Sequence, residues 1–380
     1  MIVRQFLCWV QTAQPGERAD ATSALARAYL YSDLTREDRL AAEAAMTVLL
    51  DDPSPLVRRA LADALAAAAE APHGVIIALA HDQPEIAEIV AARSPLLNEA
   101  ELVDLVGGGF ERVQAAIAAR EPLSRSLAAA ISEVAAAAAC LVLIENPGAD
   151  TPLTALARIA ARHGHLAAVR EVLLAREDLP AETRQVLVAT LSDTLARFVA
   201  HREWLPEERA QRITREACDR ATVTIAAGRQ ADEVAALVKH LVASGQLTGM
   251  LMLRTLISGN LRFLIEAFAE LSELKPERVA AILADRTGHG FRALYERTGL
   301  PEAAFGAFRA ALEVTHETGF VGDSYGAATL RRRMVERVLT RYEDVAEGEL
   351  DHLLAMLRRF AAEAAREEAR YYTADLVAAA

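Results

Sequence analysis

AAREPLS occupies residues 118–124, and AARSPLL occupies residues 91–97. Their arginines, Arg120 and Arg93, stand 27 residues apart. A third version, LIENPGADTPL at 143–153, carries Asn146 ahead of Pro147, and a fourth, LLAREDLP at 173–180, carries Arg176 ahead of Leu179 and Pro180. The anchors Arg93, Arg120, Asn146 and Arg176 are separated by 27, 26 and 30 residues. A recurrent interval of this size marks a repeat architecture.

Each copy has the same physical grammar. An Ala/Leu-rich helix ends at a polar residue, and a Pro disfavours helix for the residue before it. A Leu or Pro then leads into the next helix, as in PLLNEAELVDLV (95–106) and PAETRQVLVATL (180–191). From the latter onward, Val186, Val188, Leu191 and Leu195 fall near one helical face. Two short helices fit the interval, and no such unit can bury its apolar face without stacked neighbours.

Upstream, DDPSPLVRRALADALA (51–66) reads as a HEAT-type unit, with Asp52 before the Pro-containing turn and Val57, Leu61 and Leu65 as its stripe. HDQPEIAEIVAAR (81–93) repeats the Asp-x-Pro entry 30 residues later, at Asp82. GGGFERVQAAIAAR (107–120) keeps the helix and replaces the turn with glycines. Residues 22–52 read as two N-terminal capping helices, where Thr35-x-x-Asp38 approximates a capping box. The apolar run VAAAAACLVLI (134–144) reads as one buried core helix, far short of the ~20 residues that span a bilayer.

The repeat fades near residue 200, and HREWLPEERAQR (201–212) marks a boundary. Beyond it, helices start at Pro276 and Pro301 and stop at Gly288, Gly299 and Gly319, the usual asymmetry of Pro inside a helix start and Gly past its end. GFVGDSYG (319–326) reads as a loop. AATLRRRMVERVLTRY (327–342) and ELDHLLAMLRRFAAEAAREEARYY (349–372) read as two amphipathic helices of a hairpin. The expected organisation is all-α: a HEAT-like helical-repeat solenoid with capping helices over 1–200, a helical C-terminal domain over 201–319, and a terminal amphipathic helix pair over 320–380.

Composition narrows the function classes. Hydrophobic residues make up 53% of the 380 and charged residues 25%, enough for a large core and against disorder. The net charge of −12 disfavours general binding to nucleic acid or to an anionic membrane. Cys8, Cys140 and Cys218 are few, odd in number and far apart, so neither a disulfide framework nor a zinc cluster is implied. The N-terminus lacks an apolar run long enough for a secretory signal. A cytoplasmic protein without membrane insertion is expected.

The repeated AAR-x-PL units, followed by GQLTGMLMLRTLISGNLRFLIEAFAEL, GFRALYERTGLPEAAFGAFRAALE and RRRMVERVLTRYE…ELDHLLAMLRRF, resemble an uncharacterised bacterial family, domain of unknown function 2336, with HEAT-like repeats. The resemblance runs over about residues 20–360 and is most specific in LYERTGLPEAAFGAFRAALE. It implies a whole-chain helical architecture and a bacterial cytoplasmic setting. It brings no activity, cofactor or catalytic residues.

Chemistry-bearing motifs are sparse. HETG (316–319) begins like a zincin motif, but Phe320 stands where the second histidine belongs. His163 and His165 are two apart, which does not place them on one helix face. In DRTGHGFRALY (285–295), Gly288 and Gly290 would aim backbone N–H groups at an anion, with Arg286, His289, Arg292 and Tyr295 nearby; a tight interhelical corner is the structural reading of the same stretch. Arg331, Arg333, Arg337 and Arg341, with Arg332, form a basic run, diluted by Glu336 and Glu343 and poor in interleaved aromatics. It reads as a solvated face or a surface for an acidic protein.

No catalytic residue, metal ligand or cofactor site is read from the sequence. The expected function is a non-catalytic protein-interaction scaffold or regulatory adaptor. The alternatives are a HEAT-like nucleic-acid-processing enzyme of the DNA glycosylase type and a small-molecule sensor. A protein partner is expected, nucleic acid is not, and the C-terminal helices offer a route to a homo-oligomer.

Overall fold

The computed structural model describes residues 9–10, 12–318, 324–341 and 351–378. Among them the regular structure is α-helical, with a single isolated bridge between Leu123 and Ala149. The chain divides into two compact units, Met1–Leu179 and Pro180–Ala380.

The first unit contains α1 (Pro15–Tyr31), α2 (Arg36–Leu49), α3 (Pro55–Leu65), α4 (His73–Ala80), α5 (Pro84–Arg93), α6 (Glu99–Gly107), α7 (Glu111–Ala118), α8 (Arg125–Val134), α9 (Ala137–Glu145), α10 (Leu153–His163) and α11 (Ala167–Ala175). Every second helix packs side by side. The odd-numbered helices α1 to α11 form one row; among the even-numbered helices, α2 meets α4, α6 meets α8, and α8 meets α10. This is the packing of a helical repeat: each helix pair buries its apolar stripe on the next. Val57, Leu61 and Leu65, the stripe expected for α3, are buried.

Local sequence explains where these helices start. Pro55 and Pro84 open α3 and α5. Thr35 accepts a hydrogen bond from the Asp38 amide at 3.2 Å. Asn98 and Glu101 form a reciprocal box, with the Asn98 amide 2.8 Å from Glu101 Oε2 and the Glu101 amide 3.0 Å from Asn98 Oδ1.

The single helix expected over 134–144 is instead a corner. α8 stops at Val134, Ala135 and Ala136 are extended, and α9 starts at Ala137. Neither Gly nor Pro marks this break. Its cause is tertiary: buried Gln114 accepts from the Ala136 amide at 2.9 Å, and Arg162 donates to the Ser132 and Ala135 carbonyls at 2.7 and 2.9 Å.

The repeated phrase has a specific use. Arg120 donates to the carbonyls of Ala91 and Ser94 at the end of α5, at 2.7 and 2.9 Å. Asn146 donates to those of Ala118 and Arg120 at the end of α7, both at 2.8 Å. Arg176 donates to the Ile144 carbonyl at the end of α9, at 3.3 Å. These three anchors therefore cap orphan carbonyls of the equivalent helix one step back. Nearer the N-terminus, Arg18 grips Asp52 and Arg58 grips Asp82, each through two hydrogen bonds of 2.6–3.0 Å.

The second unit contains α12 (Ala181–His201), α13 (Glu207–Ala226), α14 (Ala231–Ala243), α15 (Gly249–Ile257), α16 (Leu261–Ser272), α17 (Pro276–Ala284), α18 (His289–Arg297), α19 (Glu302–Thr318), α20 (Ser324–Arg341) and α21 (Asp351–Ala378). α12 precedes the boundary expected at 200/201, yet it packs against α13 and α14. Of the stretch expected as a loop over 319–326, residues 319–323 lie outside the described residues, and Ser324 already begins α20.

Aromatic rings centre this unit. Phe268 of α16 meets Phe291 of α18 at 5.8 Å and Phe308 of α19 at 6.0 Å, and Phe291 stacks on Phe305 at 5.6 Å. The apolar stripes of the last two helices join the same core through Val335, Val338, Leu357 and Phe360. The terminal pair therefore packs on its own subunit.

Candidate functional site

The residues singled out from the sequence do not converge on one site. Tyr295 is buried in the aromatic core, with its hydroxyl donating to the Pro301 carbonyl at 2.8 Å. Arg292 pairs with Glu296 and Glu302, both at 2.9 Å, and lies 5.1 Å over the Phe305 ring. His289 is exposed. Arg286 lines a depression of ≈ 50 Å³ beside His316, whose Nε2 is 2.8 Å from the Leu283 carbonyl. That volume holds one or two waters. On α20, Arg333 and Arg337 are exposed, and Arg337 pairs with Glu317 at 2.8 Å. The side chains of Arg331 and Arg341 lie outside the described residues.

A larger feature lies between α12, α13 and the α14–α15 turn. It is a groove of ≈ 690 Å³, walled by polar residues from both long helices. On α13, Gln211, Thr214, Cys218, Asp219 and Thr222 recur at helical spacing, and on α12 so do Gln185, Ser192 and Asp193. Gln185 holds the inner end: its amide donates to Gln246 Oε1, and its Oε1 lies 3.2 Å from His240 Nε2.

Burial sets the protonation of the groove. It pushes the Asp219 carboxyl up to about 6, against the pull of Arg254 and Arg215 and with help from Glu216. Burial also raises the Cys218 thiol and lowers the His240 imidazole. At neutral pH this chemistry favours a thiol over a thiolate and an uncharged imidazole.

Arg254, itself buried, ties the last helix to this region. It lies 3.9 Å over the Phe360 ring and 3.4 Å from Glu363, which also pairs with Arg220 at 2.8 Å. Arg359 pairs with Glu216 at 2.8 Å.

The outer end of the α12–α13 arm is apolar and exposed. Leu195, Phe198, Trp204 and Ile213 expose 45, 46, 66 and 43% of their surface. Leu195 shares its expected face with Val186, Val188 and Leu191, which are half-buried where Leu195 is exposed; the buried residues of α12 are Ala181, Thr183, Gln185, Leu187 and Ala196. Phe198 and Trp204 meet edge-on at 5.7 Å, and Arg202 lies 5.5 Å over the Phe198 ring. Glu203 makes the bend in the left-handed region, with φ of 56°, a conformation that costs a non-Gly residue about 1–2 kcal/mol. It closes a turn in which the Trp204 amide donates to the Val199 carbonyl at 3.2 Å.

Neither the groove nor this tip is evident from motif scanning. The usable sign was a polar stripe at helical spacing on two consecutive long helices, broken by a Trp in the linker. Among the described residues, no group of three or more His, Cys, Asp or Glu is placed to hold a metal ion, and no helix is long and apolar enough to cross a membrane. In comparisons with known proteins, a family model described as an uncharacterised protein conserved in bacteria, DUF2336, matches residues 86–348. No curated protein and no solved structure matches the chain.

Proposed function

The chain belongs to the uncharacterised bacterial family DUF2336, and from that premise we propose that it is a non-catalytic cytoplasmic scaffold that docks an amphipathic segment of a partner protein on the α12–α13 arm. The observation that carries this reading is the exposed quartet Leu195, Phe198, Trp204 and Ile213. Exposed Trp and Phe beside Arg have the composition of interface hot spots, which supply most of the binding energy at protein contacts. The adjoining groove offers amide and hydroxyl groups to the polar face of the same segment.

In this reading the helix pairs of the first unit are HEAT-like repeats. Their alternate-row packing and recurrent Asp-x-Pro turns support that assignment. The α20 arginines then form a secondary, acidic-partner surface. A homo-oligomer through the last two helices would use their outer faces, since Val335, Val338, Leu357 and Phe360 are already buried in the subunit.

Surface substitutions test this better than truncation, because removing 320–380 would strip those four residues from the core. We expect the full-length protein to recover one partner in stoichiometric amount from native extract, and the Phe198→Ser/Trp204→Ser variant to lose it while keeping its circular dichroism. Recovery of the same protein by both would remove the arm from consideration. The DNA-processing alternative predicts salt-dependent retention on DNA instead.

A further inference from the structure

We propose that the inner end of the groove between α12 and α13 binds a free α-amino acid with a polar side chain, its ammonium group on Asp219 and its carboxylate on Arg215. The inference does not rest on the scaffold reading. Asp219 lies about 18 Å along α13 from Glu207, where the helix leaves the exposed tip. The tip and the inner end can therefore be occupied at once. At ≈ 690 Å³ the groove lies within the range of about 300–1,000 Å³ that small-molecule sites occupy.

The charges in this groove are of both signs and do not pair with each other. Asp193 and Arg197 of α12, and Arg215 and Asp219 of α13, all line it. Each couple is spaced i,i+4, the separation at which opposite charges on a helix meet. Arg59–Asp63, Arg229–Glu233 and Arg309–Glu313 are spaced likewise and close at 3.6, 3.3 and 2.9 Å. In the groove neither couple closes among the described residues. Arg197 donates to the Asp193 backbone carbonyl at 3.3 Å, and the Asp219 carboxyl accepts no hydrogen bond among them. Buried Arg254 attracts Asp219 but is engaged by Glu363 at 3.4 Å and by the Phe360 ring. Asp219 is thus a largely desolvated carboxyl without a donor, which is why burial dominates its proton affinity.

The surrounding groups define the ligand. The hydroxyls of Thr214 and Thr222 donate to the Ala210 and Cys218 carbonyls at 3.0 and 2.9 Å, so what they present to the groove is acceptor lone pairs, the complement of an ammonium group. Arg215 stands one turn from Asp219, about 6 Å along the helix axis. It is exposed and offers a fork of donors that matches a carboxylate. An α-amino acid carries both groups on one carbon and spans that step. A simple amine leaves Arg215 unused, and a simple carboxylate meets Asp219 as a like charge. The groove exceeds what the zwitterion alone fills, and the amides of Gln211 and Gln246 suit a polar side chain.

The test uses the full chain, with the common α-amino acids added one at a time and the melting temperature read for each. Calorimetry then gives the Kd of the most stabilising one. Its N-acetyl derivative removes the ammonium charge and its methyl ester removes the carboxylate charge, so both contacts are tested on the unaltered protein. Arg215→Gln removes the guanidinium from an exposed position, and Asp219→Asn removes the carboxylate; circular dichroism checks that both variants are folded. The expected result is saturable binding of a polar amino acid, weakened about tenfold or more by either derivative and by either substitution. The proposal is overturned if no amino acid raises the melting temperature, if only apolar ones do, or if binding survives acetylation or both substitutions unchanged.

Discussion

In Met1–Leu179 the buried side chains are mostly Ala, Leu, Ile and Val, and Phe110 is exposed; in Pro180–Ala380, Phe263, Phe268, Phe291, Tyr295 and Phe308 are all buried. The first unit ends its helices with donors sent one step back, such as Arg120 to Ala91 and Asn146 to Ala118. The second ends its chain by laying α21 on an ion-paired arginine, Arg254, above Phe360. A row of small contacts has no centre, so its stability is a sum over neighbours. An aromatic cluster shared by α16, α18 and α19 makes several helices depend on the same few rings.

The most disruptive single change should therefore lie in the second unit. Phe268 touches rings from two other helices, and Phe268→Ala should cost about 3–5 kcal/mol. Loss should appear as a lowered melting transition with faster amide exchange across α16, α18 and α19 together. Acceleration confined to α16 would show that the rings do not couple these helices.

How much of this was legible in the sequence follows the same divide. The repeat could be read because its anchors are polar residues at fixed spacing, and Arg120, Asn146 and Arg176 do cap helix ends. The helix start at Pro276 was equally plain, since Pro acts locally. The corner at Ala135–Ala136 was not, because the groups that end α8 are Gln114 and Arg162, more than twenty residues away in sequence. Tyr295 looked like part of a ligand corner because its neighbours Arg286, His289 and Arg292 are polar. Only the packing of Phe268 and Phe305 reveals it as core. The groove was missed because its residues carry no motif, only a shared face.

Asp52 of the first unit and Asp219 of the second should also answer acid in opposite directions. In the first, burial acts to raise Asp52, but hydrogen bonds from Arg18 and the Ser54 amide outweigh it and hold the carboxyl below its ordinary range. Serine hydroxyls of Ser124 and Ser126 likewise lower Glu99. A depressed carboxyl contributes stability that is present above its unfolded value and lost as pH falls through the folded one. Asp219 has the reverse sign. Its carboxyl is raised from 3.8 to about 6, so the folded state holds the proton more tightly than the unfolded chain. Its contribution favours folding at low pH, declines as pH climbs through that window, and is flat above it. The full swing is roughly 3 kcal/mol at most. Asp219→Asn should flatten the decline between those two values and raise stability at pH 8. Urea titrations across the pH range would register this, and a variant as pH-dependent as the wild type would place the titration elsewhere.

The smallest predicted effect is the sharpest test of the comparison. Arg120→Met keeps the apolar stem but removes the donors to the Ala91 and Ser94 carbonyls. Charge-assisted bonds of this kind contribute about 1.5–3 kcal/mol, and the loss should stay near its source. Amide exchange should quicken around α5 and α7 and remain unchanged in α16 and α18. Arg18→Met should behave likewise around Asp52, at the other end of the row. Arg18 and Arg120 share no hydrogen-bond partner among the described residues, so in a repeat governed by nearest neighbours their costs should add within about 0.5 kcal/mol. A coupling above about 1 kcal/mol would mean that the first unit also has a centre, and that its regular spacing conceals a cooperative core like the one around Phe268.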